Sequence, residues 1–146
     1  DYEAPTDAGT NNVYDVIVQV SDGSLTDTQA ISVTVTPVND NAPTITSNGG
    51  GASAGVTIAE NTTAVATVTA TDADGPSLTY SIAGGADAAR FTIDASTGAL
   101  GFVTAPNFEA ATDSSADNVY DVVVQASDGA LTATQSLAVG VGTDGL

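Results

Sequence analysis

Three short clusters of oxygen-bearing residues stand out in the sequence. They are the acidic pair Asp1 and Glu3, the polar segment 38–43, and the acidic pair Asp72 and Asp74. Carboxylate, amide and backbone carbonyl oxygens are the ligands of Ca²⁺, a hard cation that takes about six to eight of them. Strand-like sequence separates the clusters, so we predict a calcium site built at a junction between two domains.

The composition favours binding over catalysis. The 146 residues include 18 acidic residues, a single basic residue, Arg90, and no histidine or cysteine. Without His, Cys or Lys there is no Ser-His-Asp arrangement, thiolate nucleophile, Schiff base or cysteine-ligated zinc. Paired carboxylates serve glycosidases, but here the acids recur in repeated turn contexts instead of forming one unique pair. We therefore predict that the chain is not an enzyme.

The formal charge of -17 also restricts the partners. Nucleic acid and anionic membranes need clustered Lys or Arg, so neither is a predicted partner. No apolar run reaches the roughly 18 residues that span a bilayer, which argues against direct membrane insertion. Cations should stabilise a protein with this much negative charge. Alternatively, the negative charge reflects adaptation of a solvated surface to a salty medium. The start at Asp1 and the lack of a secretory signal indicate a piece of something longer.

The chain repeats itself. The segment 12–23 matches the segment 118–129 without a gap, and the match runs from Glu3 and Glu109 to Val35 and Val141, an offset of 106 residues. A period of this size filled with short strands predicts one immunoglobulin-like sandwich domain per repeat. We predict the last part of one repeat at 1–40, a linker and entry segment at 41–54, and a complete repeat at 55–146.

Alternating apolar residues predict strands throughout the chain. The repeated segment predicts a terminal hairpin in each copy, with one apolar face. Further strands are predicted around 66–70, 78–82, 91–93 and 100–102, each bounded by Gly, Asp, Asn or Pro. No segment has helical periodicity, so the predicted fold class is all-β.

Several motifs, in order, resemble tandem cadherin repeats, particularly those of large bacterial surface proteins. They are Ala-Glu-Asn at 59–61, Ala-Thr-Asp-Ala-Asp at 70–74, Phe-Thr-Ile-Asp at 91–94 and Val-Asn-Asp-Asn-Ala-Pro at 38–43. The resemblance covers nearly the whole chain and implies an immunoglobulin-like Greek-key β-sandwich in tandem copies.

The resemblance also implies which residues hold Ca²⁺ between consecutive repeats. Val38 and Asn41 would offer backbone carbonyls. The other ligand residues would come from the upper repeat, the linker and the lower repeat, as Asp1, Glu3, Asn39, Asp40, Asp72, Asp74 and Asp128.

Two departures from the family pattern stand out. The loop 74–78 lacks the asparagine that usually contributes a carbonyl, which weakens the ion held mainly by the lower repeat. At the other end of the complete repeat, Asn107 replaces the acidic residue before Glu109, and residues 142–146 replace the linker. We therefore expect no full calcium cluster at that second junction.

The predicted function is a calcium-rigidified spacer of an extracellular adhesin or fibre on a bacterial cell surface. Its partners would be other repeats of the same protein, other copies of the chain, or a ligand on a cell surface or in the extracellular matrix. Two alternatives are open. A lone hairpin at 1–40 is marginal in water, so strands of another copy could complete it in a self-assembling filament. The threonine-rich faces at 67–69 and 32–34 could bind carbohydrate, although alternating Thr is also common in plain strands.

Overall fold

The computed structural model describes residues 1–75 and 77–143. Strands make up nearly all of its regular structure, and the helices in the described residues are two three-residue 3-10 turns, Ala88–Arg90 and Phe108–Ala110. Neither is long and apolar enough to cross a membrane. The chain divides into two compact units, Asp1–Asn39 and a second that begins at Asp40. The predicted all-β class is confirmed, and the predicted domain boundaries stay a prediction.

The first unit contains one antiparallel hairpin. Its strands are β1 (Val13–Ser21) and β2 (Thr26–Thr34), with Val18 opposite Gln29. The turn between them forms because Asp22 Oδ1 accepts hydrogen bonds from the backbone N–H groups of residues 25 and 24, at 2.8 and 2.9 Å. These two bonds lower the pKa of the Asp22 carboxyl, because they favour its charged form. The Asp-Gly turn at residues 22 and 23 is thus fixed by its own aspartate.

The second unit contains the remaining strands. In chain order they are β3 (Thr44–Ile45), β4 (Ser53–Ala59), β5 (Ala64–Thr67), β6 (Ala70–Thr71), β7 (Thr79–Gly84), β8 (Phe91–Ile93), β9 (Ala99–Phe102), β10 (Val119–Ser127) and β11 (Thr132–Gly142).

Two main sheets form this unit. One has the order β4-β11-β10-β7 and the other the order β5-β9-β8, and β3 pairs with β6 in a short ladder. Strands β10 and β11 are antiparallel, with Val124 opposite Gln135, and β4 runs parallel to β11. A hairpin in the middle of a four-stranded sheet is therefore covered on both edges.

The core lies between the sheets. Alternate residues of β10 and β11 point inward, as the sequence pattern predicts, because successive side chains of a strand face opposite ways. The ring of Phe102 stacks on Phe91 with centroids 4.5 Å apart and meets Tyr120 edge-on at 5.0 Å. The buried hydrophobic residues are Ile45, Val68, Phe91, Leu100, Phe102, Tyr120, Val122, Val124, Ala126, Leu137, Val139 and Val141.

The polar side chain of Gln135 also lies in this core. Gln135 is fully buried, and its Nε2 donates to the carbonyls of Ser47 and Gly51 at 3.2 and 2.9 Å. Its Oε1 accepts from Asn48 Nδ2 at 3.2 Å. The buried amide thus fastens the loop before β4 to the hairpin, and these bonds offset the cost of burying it.

The single strand predicted around 66–70 is two strands. The break falls at Val68, whose N–H donates to the Gly98 carbonyl at 2.8 Å, outside either ladder. Strand β5 pairs with β9, whereas β6 pairs with β3. The chain therefore crosses from one sheet to another at a point that alternation alone does not reveal.

Replacing Gly98 with alanine should destabilise the second unit strongly. Gly98 has φ +74°, and a Cβ there would collide with the Val68 carbonyl oxygen. Left-handed strain and the clash together should cost about 3 kcal/mol in the free energy of unfolding, measured in urea. Gly129→Ala is the matched control, since Gly129 has φ +103° and open space around it. It should cost only about 1–2 kcal/mol, from strain alone. Equal losses would contradict the predicted clash.

The Asp94 carboxyl should give the stability of the chain a measurable pH dependence. Hydrogen bonds from the Thr97 N–H, and from the hydroxyl and N–H of Ser96, lower its pKa from 3.8 to about 2. A lowered folded-state pKa stabilises the fold above the unfolded value, and this stabilisation is lost as the pH falls from 3.8 to about 2. Titration by NMR should show the low value, and Asp94→Asn should remove this part of the acid sensitivity. A carboxyl titrating at 3.8 or above would contradict the prediction.

Candidate metal centre

The loop after β6 presents two carboxylates. Asp72 Oδ1 accepts a hydrogen bond from the Asp74 N–H at 2.8 Å, and Gly75, with φ +74°, donates its N–H to the Asp72 carbonyl at 3.3 Å. A turn closed by its first aspartate is a common use of this side chain. It holds the side chains of Asp72 and Asp74 in one small loop at the end of the strand.

The Asp74 carboxylate holds the segment that begins the second unit through hydrogen bonds. Its Oδ2 accepts from the N–H groups of Asp40 and Asn41 at 3.1 and 2.9 Å, and its Oδ1 accepts from Asn41 Nδ2 at 2.8 Å. The same Nδ2 donates to Asp40 Oδ1 at 3.0 Å. One carboxylate oxygen of Asp40 lies within 4.8 Å of one of Asp74. The structure therefore brings together four predicted ligand residues, Asp40, Asn41, Asp72 and Asp74.

The second oxygen of Asp72 points to a missing partner. Asp72 Oδ2 is buried and accepts no hydrogen bond from any described residue. A buried carboxylate oxygen without a donor costs free energy, so such atoms in folded proteins normally have a partner. The surrounding donor set consists of oxygen atoms, which suits a hard cation such as Ca²⁺. These residues therefore fit the calcium ion predicted from the sequence.

The remaining predicted ligands have separate places. Asp128 lies in the turn between β10 and β11, where its Oδ1 accepts from the N–H groups of Ala130 and Leu131, both at 2.7 Å. In the first unit, Asp1 Oδ1 accepts from the Glu3 N–H at 3.1 Å. Val38 and Asn39 end that unit, with Val38 exposed. That Asp1, Glu3, Val38, Asn39 and Asp128 share an ion with the four clustered residues stays a prediction.

The second predicted junction keeps part of the same local geometry. Asn107 Oδ1 accepts from the Glu109 N–H at 2.9 Å, just as Asp1 does from Glu3. Glu60 is buried, and its Oε2 accepts from the Phe108 N–H at 2.9 Å. With an amide in place of one carboxylate, this end offers a weaker donor set. Pro76 and residues 144–146, which belong to the two departures noted in the sequence, lie outside the described residues.

The sequence did not reveal the bridging role of Asn41. Its backbone carbonyl was the predicted ligand, whereas its side-chain amide links the carboxylates of Asp40 and Asp74. The signal for this was present in the alternation Asn-Asp-Asn at 39–41, since an amide N–H₂ between carboxylates is a natural donor to both. The link reduces repulsion between two carboxylates that lie close together.

Comparisons with known proteins identify relatives of both units. The family model described as Cadherin domain matches residues 55–141, more than half of the chain. No curated protein matches. Among solved structures, mouse clustered PcdhgC3 EC1-3 shares 25% identity with a TM-score of 0.73, over 97% of this chain and 45% of that one. Protocadherin Gamma B2 extracellular cadherin domains 1-5 share 26% identity with a TM-score of 0.73, over 100% and 28%.

A third structure agrees in fold. Human Protocadherin-24 EC1-2 is 23% identical with a TM-score of 0.70, and covers 100% of this chain and 70% of that one. The chain spans less than half the length of the first two structures. The predicted resemblance to cadherin repeats and the predicted immunoglobulin-like sandwich are confirmed.

Removing the Asp74 carboxylate should loosen the segment at residues 40 and 41, which is hydrogen-bonded to it. In Asp74→Ala the N–H groups of Asp40 and Asn41 lose their acceptor. Their hydrogen exchange should accelerate about 10-fold or more, since a hydrogen bond to a charged group is worth roughly 1.5–3 kcal/mol and each 1.4 kcal/mol is a factor of about 10. Asp94→Ala is the control, because it loosens its own turn at 94–97 and should leave these two amides unchanged. Unchanged exchange at both amides in Asp74→Ala would contradict the predicted role.

Proposed function

Because the chain belongs to the cadherin domain family, we propose that it is a calcium-rigidified segment of an extracellular adhesion protein. The observation that carries the proposal is the buried, unpartnered Oδ2 of Asp72 beside the linked carboxylates of Asp40 and Asp74. Membership of a family of adhesion domains also confirms the prediction that the chain is not an enzyme.

The carboxylates of the chain need more positive charge nearby than its one basic side chain provides. It has one basic residue against 18 acidic ones, so intramolecular ion pairs cannot offset most of its negative charge. Asp74 is stabilised by neutral amide donors, and Asp72 Oδ2 by no described group. A bound divalent cation supplies a large local positive charge and coordinates the carboxylates directly. Asp40, Asp72 and Asp74 would hold it, with the Asn41 carbonyl as a further ligand.

The bound cation would hold separate segments of the chain in a fixed arrangement. Asp40 and Asn41 begin the second unit, so an ion bound there fixes the start of the domain to the loop after β6. If Asp1, Glu3, Val38, Asn39 and Asp128 share that ion or a neighbouring one, calcium stiffens the joint between repeats. The segment then holds other parts of the parent protein at a distance. The proposed partners are adjacent repeats and other copies of the chain, on the surface of a bacterial cell.

The carbohydrate alternative gains no support from the threonine-rich face around β5 and β6. The hydroxyls of Thr69 and Thr46 lie 3.0 Å apart and hydrogen-bond to each other. The Thr69 carbonyl accepts from the Thr46 N–H at 2.9 Å. These groups are engaged within the fold, as expected for threonines that serve strand structure.

Calcium should raise the melting temperature of the chain. An ion that binds only the folded state at about 100 times its Kd adds roughly 2.7 kcal/mol, which corresponds to about 10 °C for a domain of this size. Thermal unfolding should be followed at constant ionic strength with calcium, with magnesium and with a chelator. Equal melting temperatures in all three would overturn the proposal.

Two matched variants locate the effect. Asp72→Asn removes the charge at the unpartnered oxygen, so it should abolish most of the calcium shift while leaving stability in chelator unchanged or higher. Asp121→Asn removes one charge from an exposed carboxylate of the same unit, and the full shift should persist. Equal shifts in both variants would place the ion elsewhere.

A further inference from the structure

The sequence contains one Asn-Gly pair, Asn48 and Gly49, and it lies in the loop before β4. The Gly50 N–H donates to the Ser47 carbonyl at 2.9 Å, and φ is 51° at Asn48 and 83° at Gly49. Two left-handed residues inside such a hydrogen bond form a type I′ turn, in which Asn followed by Gly is a preferred pair. The turn accounts for the choice of these two residues, and it also places two groups that can react next to each other.

Asparagine before glycine can lose its side-chain amide without an enzyme. The Gly49 backbone nitrogen attacks Cγ of Asn48, the bond from Cγ to Nδ2 breaks, and Nδ2 leaves as ammonia with the proton of the Gly49 N–H. Water then opens the cyclic succinimide. Breaking the new bond to Cγ gives aspartate, and breaking the bond to the main-chain carbonyl carbon gives isoaspartate. Glycine favours this reaction because it has no side chain to obstruct the nitrogen, and asparagine is a thermolabile residue.

The attacking nitrogen at this turn is accessible. Gly49 is exposed, and apart from its chain neighbours no described atom lies within 4 Å of the position that a Cβ there would take. The Gly49 N–H donates to no described residue, so no hydrogen bond holds its proton. Whether the reaction occurs therefore depends on the Asn48 side chain.

The Asn48 side chain is held by the core. Its Nδ2 donates to Oε1 of Gln135 at 3.2 Å, and Gln135 is fully buried. Attack on Cγ requires rotation of the Asn48 side chain and of the backbone between Asn48 and Gly49. The first rotation breaks the bond to Gln135, and the second breaks the turn. The closed loop therefore protects the amide, and the reaction requires a local opening of the loop.

The orientation of the Gln135 amide requires a donor at residue 48. Nε2 of Gln135 donates to the carbonyls of Ser47 and Gly51 at 3.2 and 2.9 Å, so Oε1 faces Asn48. After the reaction residue 48 has a carboxylate, which accepts hydrogen bonds and donates none. Reversing the Gln135 amide would place Oε1 against two carbonyl oxygens instead. In either orientation the product leaves a buried oxygen without a donor, which is costly.

We propose that Asn48 is a site of spontaneous deamidation, which the Gln135 amide prevents while the loop before β4 is closed. The reaction occurs in molecules whose loop has opened, and hydrolysis does not restore the amide. The new carboxylate adds a negative charge to a chain that already carries -17, and it prevents the loop from closing on Gln135 as before. Deamidation thus converts a transient opening into a permanent loss of stability of the second unit.

The first test compares deamidation in the folded and the unfolded chain. The whole chain is incubated at one mildly alkaline pH, in buffer and in guanidinium chloride, and peptide mapping by mass spectrometry measures aspartate and isoaspartate at residue 48. The reaction should be about 10-fold or more slower in buffer, since the bond to Gln135 and the turn must both open first. A peptide of residues 44–53 in buffer should react as fast as the unfolded chain, which controls for the denaturant. Equal rates in the folded and unfolded chain would overturn the proposal.

A second test removes the protecting group. Gln135→Met keeps a side chain of similar size without a polar acceptor, so deamidation of Asn48 in buffer should accelerate about 10-fold. Gln29→Met is the matched control, because Gln29 is the exposed counterpart of Gln135 in the first hairpin, and it should leave the rate unchanged. A rate that is the same in both variants would contradict the protective role of Gln135.

A third test builds the product into the chain, and it does not depend on the Gln135 variant. Asn48→Asp should lower the equilibrium constant for folding about 10-fold or more, measured in urea with a chelator present, because a buried oxygen loses its donor. Asn61→Asp is the matched control. Asn61 is exposed and also left-handed, with φ 60°, so the same added charge should change the constant by only about 2-fold. Equal losses in both variants would assign the effect to charge alone and overturn the proposed consequence of deamidation.

Discussion

The pairing of β10 with β11 is the constraint on which the second unit depends. It aligns Val122 and Val124 with Leu137 and Val139 on one face, and that face is the centre of the core. Both edges of the hairpin then carry further strands, and the Gln135 amide fastens the loop that leads into β4. The chain thus reaches a packed core with few aromatic residues and no disulfide, because nearly every inward position of one long hairpin is used.

Repulsion between carboxylates opposes the stability that the core provides, and the carboxylates that lie close together are in the loops. With one arginine against 18 acids, the chain cannot pair its carboxylates internally, and it relies on backbone amides instead. Amides are sufficient for turn aspartates such as Asp22 and Asp94, whose pKa values are lowered by local N–H groups. Near Asn41, where the carboxylates of Asp40 and Asp74 lie close together, the adjacent Asp72 Oδ2 accepts no hydrogen bond from any described residue, and the proposed cation would offset this negative charge.

The sequence predicted what depends on short-range patterns. Alternation identified both hairpins, and the order of motifs identified the family. It did not predict the break at Val68, because the cause is a hydrogen bond to Gly98, thirty residues away along the chain. It also missed the buried role of Gln135 and the bridging amide of Asn41, since a polar residue reveals its partners only when distant segments meet. The core positions were therefore predictable, and the contacts that align loops were not.

Comparison of the two hairpins shows which of their features depend on local sequence and which depend on tertiary packing. Turn aspartates, the tyrosine hydroxyl bond and the strand register are the same in both, so local sequence is enough to set their shape. The burial of their apolar faces differs, so burial depends on segments far away in sequence. A lone two-stranded hairpin is marginal in water because its shape alone removes little apolar surface from solvent. In this protein, therefore, local polar contacts determine the form of each repeat, whereas the strands that cover the hairpin determine whether that form is stable.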